Sequence, residues 1–154
     1  MARHLTVAAA QSGPIQKNDT REEVVARLCA MMNDASDAGA DLVVFTELAL
    51  TTFFPRHYSE IHADMDIWFE KKMPNSATQP LFQLAKERSI GFYLGYAELT
   101  TEGQHFNTSI LVDKEGNTVG KYRKVHLPGH GEYDPERAFQ HLEKRYFLPG
   151  DLGF

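Results

Sequence analysis

Residues 41–47 read Asp-Leu-Val-Val-Phe-Thr-Glu, an almost unbroken apolar run that ends at a carboxylate. Runs of this kind are typical of strands that are covered on both faces of a sheet. The apolar stretch from Leu5 to Ala10 ends at the turn residues Gln-Ser-Gly-Pro of positions 11–14, so it predicts a further buried strand. We therefore expect two buried strands, with Glu47 at the carboxyl end of one of them.

A helix is predicted between these two strands. Thr20 and Glu23 have the spacing of a capping box, and Gly39 stands where the end of a helix favours a left-handed residue. One apolar face at helical spacing is formed by Val25, Leu28, Cys29, Met32 and Ala35. The chain thus begins with a strand, a helix and a strand.

The remaining elements follow from periodicity and turn residues. Helices are predicted over 63–71, which contains Trp68, and over 79–88. A strand is expected over 90–98, and the strands 106–113 and 118–125 form a hairpin around Lys-Glu-Gly-Asn at 114–117. A loop rich in Pro, Gly and His precedes a short helical stretch near 139–146. This order of elements predicts a layered α/β protein with a mixed sheet.

Composition narrows the class of protein. A chain of 154 residues favours one domain, and its net charge of -5 gives no reason to expect binding to nucleic acid or anionic membranes. No segment approaches the apolar length of a membrane span. The N-terminus has no long apolar region and is interpreted as a strand, not as a signal peptide. With a single cysteine, Cys29, no internal disulfide forms, so we expect a cytoplasmic protein.

Two residues at strand ends are candidates for chemistry. Glu47 is either a solvated end of its strand or a carboxylate at the mouth of a site, where its surroundings would tune its pKa for proton transfer. Lys124 lies near the end of a later strand, and strand alternation places it on the same face as Tyr122. It is either a solvated edge lysine that blocks aggregation or a catalytic cation.

Several other residues have simpler interpretations when taken alone. Glu143 is consistent with an exposed helical residue paired with a nearby base. His126 and His130 lie close to Glu132, but Pro128 and Gly129 break any helix between the two histidines, so we do not expect a metal site. Cys29 belongs to the apolar helix face and is expected to be a core thiol rather than a reactive one.

Longer stretches of the chain carry a family resemblance. Val-Phe-Thr-Glu at 44–47 and Lys-Tyr-Arg-Lys-Val-His-Leu-Pro at 121–128 resemble two motifs of the nitrilase, or carbon-nitrogen hydrolase, superfamily, with Thr46 in place of the usual proline. Residues 47–56, 106–114 and 139–147 are most similar to N-carbamoyl-D-amino-acid amidohydrolases. The resemblance covers essentially the whole chain, but only about the first half of such an enzyme.

The resemblance implies a fold and a set of roles. The 154 residues would form the N-terminal portion of a single carbon-nitrogen hydrolase domain, which is a four-layer α-β-β-α sandwich with a mixed sheet and is incomplete in this chain. Glu47 would be the general base and Lys124 the cation that stabilises the oxyanion. Glu143 would position the substrate and support the lysine, and His126 and His141 would hold the site together. No cofactor or metal is implied, and the family suggests a homo-oligomer.

The resemblance also implies a cysteine nucleophile beyond the region that ends at Phe154, a position that Cys29 does not match. Three hypotheses follow. The first is an N-terminal part of an enzyme that hydrolyses N-carbamoyl-D-amino acids to the D-amino acid, ammonia and carbon dioxide. The second is a relative that acts on another amide, such as a ureidopropionase or an aliphatic amidase. The third is a non-catalytic half that binds or regulates a full-length partner. We expect the isolated chain to be inactive.

Overall fold

The computed structural model describes residues 4–60 and 62–153, which form one five-stranded sheet with helices packed on it. The strands are β1 (Val7–Ala10), β2 (Leu42–Phe45), β3 (Gly91–Leu99), β4 (His105–Val112) and β5 (Thr118–Arg123). The helices are α1 (Arg21–Asp37), α2 (Gln79–Arg88) and α3 (Glu143–Tyr146), with 3-10 turns at Phe54–Arg56 and His62–Trp68. The predicted α/β class is confirmed.

The sheet is mixed, as predicted. Its strand order is β1-β2-β3-β4-β5; β1, β2 and β3 run parallel, and β3, β4 and β5 are antiparallel. The parallel pairs are joined through α1 and α2, whereas the antiparallel pairs are joined by short hairpins. The carboxyl ends of β1, β2 and β3 therefore meet at one edge of the sheet, where ligands commonly bind in α/β proteins.

Local signals set the bounds of α1 as the sequence predicts. The Thr20 hydroxyl accepts from the Glu23 amide, and the Glu23 carboxylate accepts from the Thr20 amide, which completes the capping box. Gly39 follows the last turn with φ of 82°. This capping satisfies backbone groups that would otherwise lack partners at the two helix ends.

The main core lies between the sheet and the two long helices. Val43 and Phe45 of β2 are buried in it together with Leu28 and Met32 of α1 and Phe82 of α2. Leu42 and Val44, on the opposite face of β2, are only half-buried. The expectation that both faces of this strand are covered is therefore wrong for the part of the chain that is described, because α1 and α2 pack on the same face.

Two predicted helices are shorter than expected. The segment predicted as a helix over 63–71 is a 3-10 turn that ends at Trp68, because the Glu70 backbone pairs with β3 in an isolated bridge to Glu98. The stretch near 139–146 is helical only from Glu143. The backbone amide of Leu142, the residue before this helix, donates a hydrogen bond to Pro55 O at 2.8 Å. Because this amide pairs outside the segment, the residues before Glu143 are not helical.

A second apolar cluster surrounds the end of β3. Tyr146 and Phe147 pack there with Phe54 and Phe69. The Tyr146 hydroxyl donates to His57 O at 2.8 Å and accepts from the Ser59 amide at 2.9 Å. These contacts hold α3 against the segment that follows β2, and they thereby fix the position of Glu143.

Candidate active site

Glu47 reaches its position through a close crossing of two chain segments. Leu48 adopts a positive φ of 49°, and the Ala49 amide donates to Gly95 O of β3 at 2.8 Å. A Cβ on Gly95 would lie 2.9 Å from Glu47 Cα and 3.0 Å from Leu48 N. Only glycine permits this approach without a backbone shift, so Gly95 sets the height of Glu47 above the sheet.

Lys124 follows directly after β5, on the sheet face that α1 and α2 leave open. Its backbone amide donates to Asn107 O of β4 at 2.8 Å, which continues the strand pairing by one residue. Tyr122 lies on the same face and lines the same pocket, as strand alternation predicts. Lys121 and Arg123 point to the opposite face and form salt bridges with Glu98.

The Lys124 ammonium joins two carboxylates from distant parts of the chain. Its Nζ lies 2.6 Å from Glu47 Oε1 and 2.9 Å from Glu143 Oε2. The side chain of Glu143 is 1% exposed, that of Lys124 27% and that of Glu47 45%. The arrangement therefore has one carboxylate in the interior, one at the surface of the pocket and the cation between them.

The pKa of Lys124 reflects this placement. Burial alone would lower it, but the hydrogen bonds and charges of Glu47 and Glu143 outweigh burial and raise the pKa above its usual value. The side chain thus remains a fixed cation at neutral pH. A fixed cation next to a reacting carbonyl stabilises the negative charge that develops on its oxygen.

Asn107 completes the arrangement and was assigned no role from the sequence. Its Nδ2 donates to Glu47 Oε1 at 2.6 Å and lies 3.4 Å from Glu143 Oε2. Because a carboxylate only accepts, the amide must present its NH₂ group to both. Asn is depleted in strands, so an Asn inside the predicted strand 106–113 was the signal that could have drawn attention to it.

Of the two histidines that were expected to support the site, His141 contacts Glu143 and His126 lies outside the pocket. His141 Nε2 lies 3.0 Å from Glu143 Oε1, and its ring packs edge-on against Phe53 with centroids 5.1 Å apart. Gly129 has φ of 78°, and the neighbouring His130 amide donates to His141 O at 2.8 Å, which holds this loop next to the site. His126 is exposed and does not line the pocket around Glu47 and Lys124.

The pocket next to these groups has a volume of about 320 Å³. Side chains of β3, β4 and β5 form its wall, among them Tyr93 and Ser109, whose hydroxyls are in contact with each other. This volume is within the range of sites for small organic molecules. The arrangement offers a carboxylate base, a fixed cation and space for a small substrate.

Cys29 does not take part in this site. It lies on α1, packed against the main core, and it does not line the pocket of Glu47 and Lys124. Burial raises the pKa of its thiol, which opposes formation of the thiolate that a nucleophile requires. Its predicted position on the apolar face of the helix is confirmed, although the side chain is only partly buried.

Neither a cluster of metal ligands nor a membrane-spanning helix is found in the described part of the chain. Over residues 4–60 and 62–153, no group of three or more His, Cys, Asp or Glu side chains is placed to hold a metal ion. His126 and His130 therefore do not form such a group with Glu132. In the same part of the chain, no helix combines the length and the hydropathy needed to cross a bilayer.

Comparison with known proteins defines the family. The carbon-nitrogen hydrolase family model matches residues 6–154. The chain belongs to the carbon-nitrogen hydrolase family. This agrees with the mixed five-stranded α/β sheet.

Individual relatives fall within the same family. The chain is 26% identical over 137 residues to the human omega-amidase NIT2, covering 89% of this chain and 46% of that protein. It is 28% identical over 155 residues to the N-carbamoylputrescine amidase of Solanum lycopersicum, covering 99% and 46%. The chain therefore spans about half the length of the curated relatives it matches.

A solved structure supports the fold. The carbon-nitrogen hydrolase from Helicobacter pylori G27 superposes with a TM-score of 0.74 at 22% identity, covering 97% of this chain and 46% of that one.

Proposed function

We propose that this chain supplies the general base and the cation of a cysteine-dependent hydrolase that acts on N-carbamoyl-D-amino acids. The observation that carries the proposal is the Lys124 ammonium held between the Glu47 and Glu143 carboxylates. The substrate class is supported by the long stretches at 47–56, 106–114 and 139–147 that resemble such enzymes. The thiol is proposed to come from a part of the domain outside this chain.

In the proposed reaction, Glu47 takes the proton of the thiol as sulfur attacks the ureido carbonyl carbon. Lys124 stabilises the negative charge on the carbonyl oxygen. The protonated Glu47 then gives its proton to the departing nitrogen, so ammonia leaves and a thiocarbamate remains on the sulfur. Glu47 next takes a proton from the attacking water. Glu47 returns this proton to the sulfur as the thiol leaves, and the resulting carbamate decomposes to carbon dioxide and the D-amino acid.

Glu143, Asn107 and His141 act through the other two residues in this proposal. Glu143 is buried and lies within 3.0 Å of both Lys124 Nζ and His141 Nε2, so it fixes the ammonium on its inner side. Asn107, which is buried, holds Glu47 through a hydrogen bond of 2.6 Å. Glu47 is the more exposed of the two carboxylates, which leaves it accessible to a thiol and to water.

A second candidate is favoured by the relatives themselves. The human protein is named an omega-amidase and the tomato protein an N-carbamoylputrescine amidase, so an amide or a ureido group on another backbone is an alternative substrate. The base and the cation would act identically on either group, because both substrates present a carbonyl next to a leaving nitrogen. A third candidate is a non-catalytic role as a partner of a full-length enzyme.

The first experiment uses the purified chain alone. We expect no ammonia release from an N-carbamoyl-D-amino acid above that of Glu47→Ala, because no thiol lines the pocket of Glu47 and Lys124. Glu47-dependent turnover by the chain alone would overturn the proposal that the nucleophile lies elsewhere.

The second experiment joins the chain at residue 154 to the remaining, cysteine-containing part of an N-carbamoyl-D-amino-acid amidohydrolase; we refer to this as the joined protein. Ammonia release is measured with N-carbamoyl-D-alanine, its L-enantiomer, N-carbamoylputrescine and an ω-amide. A parallel fusion to the corresponding part of an N-carbamoylputrescine amidase is the control for the origin of specificity. We expect Glu47- and Lys124-dependent turnover, with the D-enantiomer preferred over the L-enantiomer.

The outcomes separate the three candidates. Activity only in the fusion with the putrescine amidase, or only on the ω-amide, supports the second candidate. A fusion that folds but releases no ammonia from any of the four substrates supports the non-catalytic role. Turnover that survives Glu47→Ala rules out Glu47 as the base.

A further inference from the structure

A second concave site lies between the loops that follow β1 and β2. It has a volume of about 440 Å³ and is formed by residues 14–18 of one loop together with Thr52, Arg56 and His57 of the other. It shares no lining residue with the pocket of Glu47 and Lys124. Both loops leave the carboxyl ends of adjacent parallel strands, the edge at which α/β proteins commonly bind ligands.

Three basic side chains line this cleft: Lys17, Arg56 and His57. Across the described residues, no carboxylate forms a salt bridge with any of them. The nearby Asp19 is directed to Arg27, 2.8 Å away, and to the Gln16 amide. In a chain of net charge -5, a cluster of basic side chains without a carboxylate partner is unexpected.

Most of the other described arginines have a carboxylate partner. Those that form salt bridges with an Asp or a Glu are Arg21, Arg27, Arg88, Arg123 and Arg137. Arg145 instead lies over the Tyr58 ring and donates to Ser59 O. Among residues 4–60 and 62–153, Arg56 has neither kind of partner, so its guanidinium is available to a ligand from solution.

The three basic side chains are close enough to influence one another. The pKa of His57 is lowered by burial and by the positive charges of Lys17 and Arg56. The His57 backbone is fixed at both ends, since its amide donates to Phe54 O at 2.8 Å and its carbonyl accepts from the Tyr146 hydroxyl. A bound anion would relieve the repulsion within this pre-positioned cluster.

We propose that this cleft binds a small dianion, through a planar guanidinium and an ammonium on the anionic group and through the Thr52 hydroxyl and Asn18 amide as neutral donors. Arg pairs with phosphate or carboxylate oxygens in a bidentate manner, and Lys adds a point charge. Phosphate monoesters and dicarboxylates share this chemistry. The inference does not depend on the proposed activity, because the site shares no residue with the catalytic groups.

The test is a titration of the isotopically labelled chain, followed by amide NMR shifts at constant ionic strength. The probes are inorganic phosphate, succinate and, as a monoanion control, acetate. We expect saturable shifts at residues 16–18 and 56–57. Lys17→Gln and Arg56→Gln should each weaken binding about tenfold or more, the effect of losing a charge-assisted hydrogen bond.

The matched control is Lys114→Gln, which removes one positive charge from the β4–β5 turn. Lys17, Arg56 and Lys114 are all exposed, so the variants should fold, and far-UV circular dichroism checks this. Binding of phosphate alone assigns a phosphate ligand, and binding of succinate alone a dicarboxylate. Absence of saturation, equal affinity for acetate, or equal weakening by Lys114→Gln would each overturn the proposal.

Discussion

Asn107 Nδ2 donates a hydrogen bond of 2.6 Å to Glu47 Oε1, although the two residues are 60 positions apart in the chain. The backbone carbonyl oxygen of Asn107 also accepts a hydrogen bond from the backbone amide of Lys124. One residue of β4 thus positions both the proposed base and the backbone of the proposed cation. This dual role makes Asn107 a sharp probe of how the site is assembled.

Asn107→Ala should lower turnover of the joined protein roughly 100-fold, because a carboxylate that loses its partner moves out of the productive geometry. Lys124 keeps its backbone bond in this variant. The measurement is ammonia release with kcat and KM determined separately, because a displaced base lowers kcat without raising KM. Asn33→Ala on α1 is the matched control, and full activity in Asn107→Ala would contradict a positioning role.

Glu47→Gln and Glu143→Gln should each lower the pKa of Lys124, because both carboxylates raise it against the opposing effect of burial. The pKa is read from an NMR titration of the lysine side-chain carbons in the chain alone, so the result does not depend on activity. Glu115→Gln, in the turn between β4 and β5, should leave the value unchanged. An unaltered pKa in both pocket variants would mean that the three charges are not coupled in solution.

Gly95→Ala should displace the Glu47 backbone, because the new Cβ would lie 2.9 Å from Glu47 Cα. We expect a loss of turnover in the joined protein of about 100-fold or more. Gly13→Ala is the control, since a Cβ there meets nothing within 4 Å. If Gly95→Ala keeps its activity and its amide NMR shifts near Glu47, the close crossing does not set the position of the base.

Glu98 should make the chain sensitive to acid. Burial alone would raise its pKa, but hydrogen bonds from Arg123, Lys121 and Thr108 outweigh burial and lower the pKa to about 2. A carboxyl with a lower pKa in the folded state stabilises the fold fully above its unfolded pKa of about 4.3. That stabilisation, up to roughly 3 kcal/mol, is lost as pH falls from about 4.3 through about 2.

Urea unfolding of the chain across this pH range measures the effect. Glu98→Gln should flatten the fall in the free energy of unfolding, and it should also lower stability at pH 7, because Arg123 and Lys121 lose their shared partner. Glu87→Gln, an exposed carboxylate on α2, is the control. Identical acid slopes for Glu98→Gln and the unsubstituted chain would show that Glu98 titrates normally.

Several elements could be predicted from the sequence because local signals determine them. The helix that begins after Thr20 has a capping box and an apolar stripe, and α2 occupies the predicted residues 79–88. The helix predicted over 63–71 was wrong, because pairing of the Glu70 backbone with β3 is a non-local effect. The apolar pattern of a short segment does not indicate whether its backbone will pair with a strand that is distant in the sequence.

The sequence by itself determined the mixed α/β order, the strand-end positions of Glu47 and Lys124, and the position of Cys29 on the apolar face of α1, because periodicity, caps and turn residues act over a few positions. Only the tertiary structure decided that Lys124 bridges Glu47 and Glu143, which lie 77 and 19 positions away from it, and that Asn107 joins them. Parallel and antiparallel pairing sets these distances, and a register is fixed by the packing of the whole sheet rather than by any one segment.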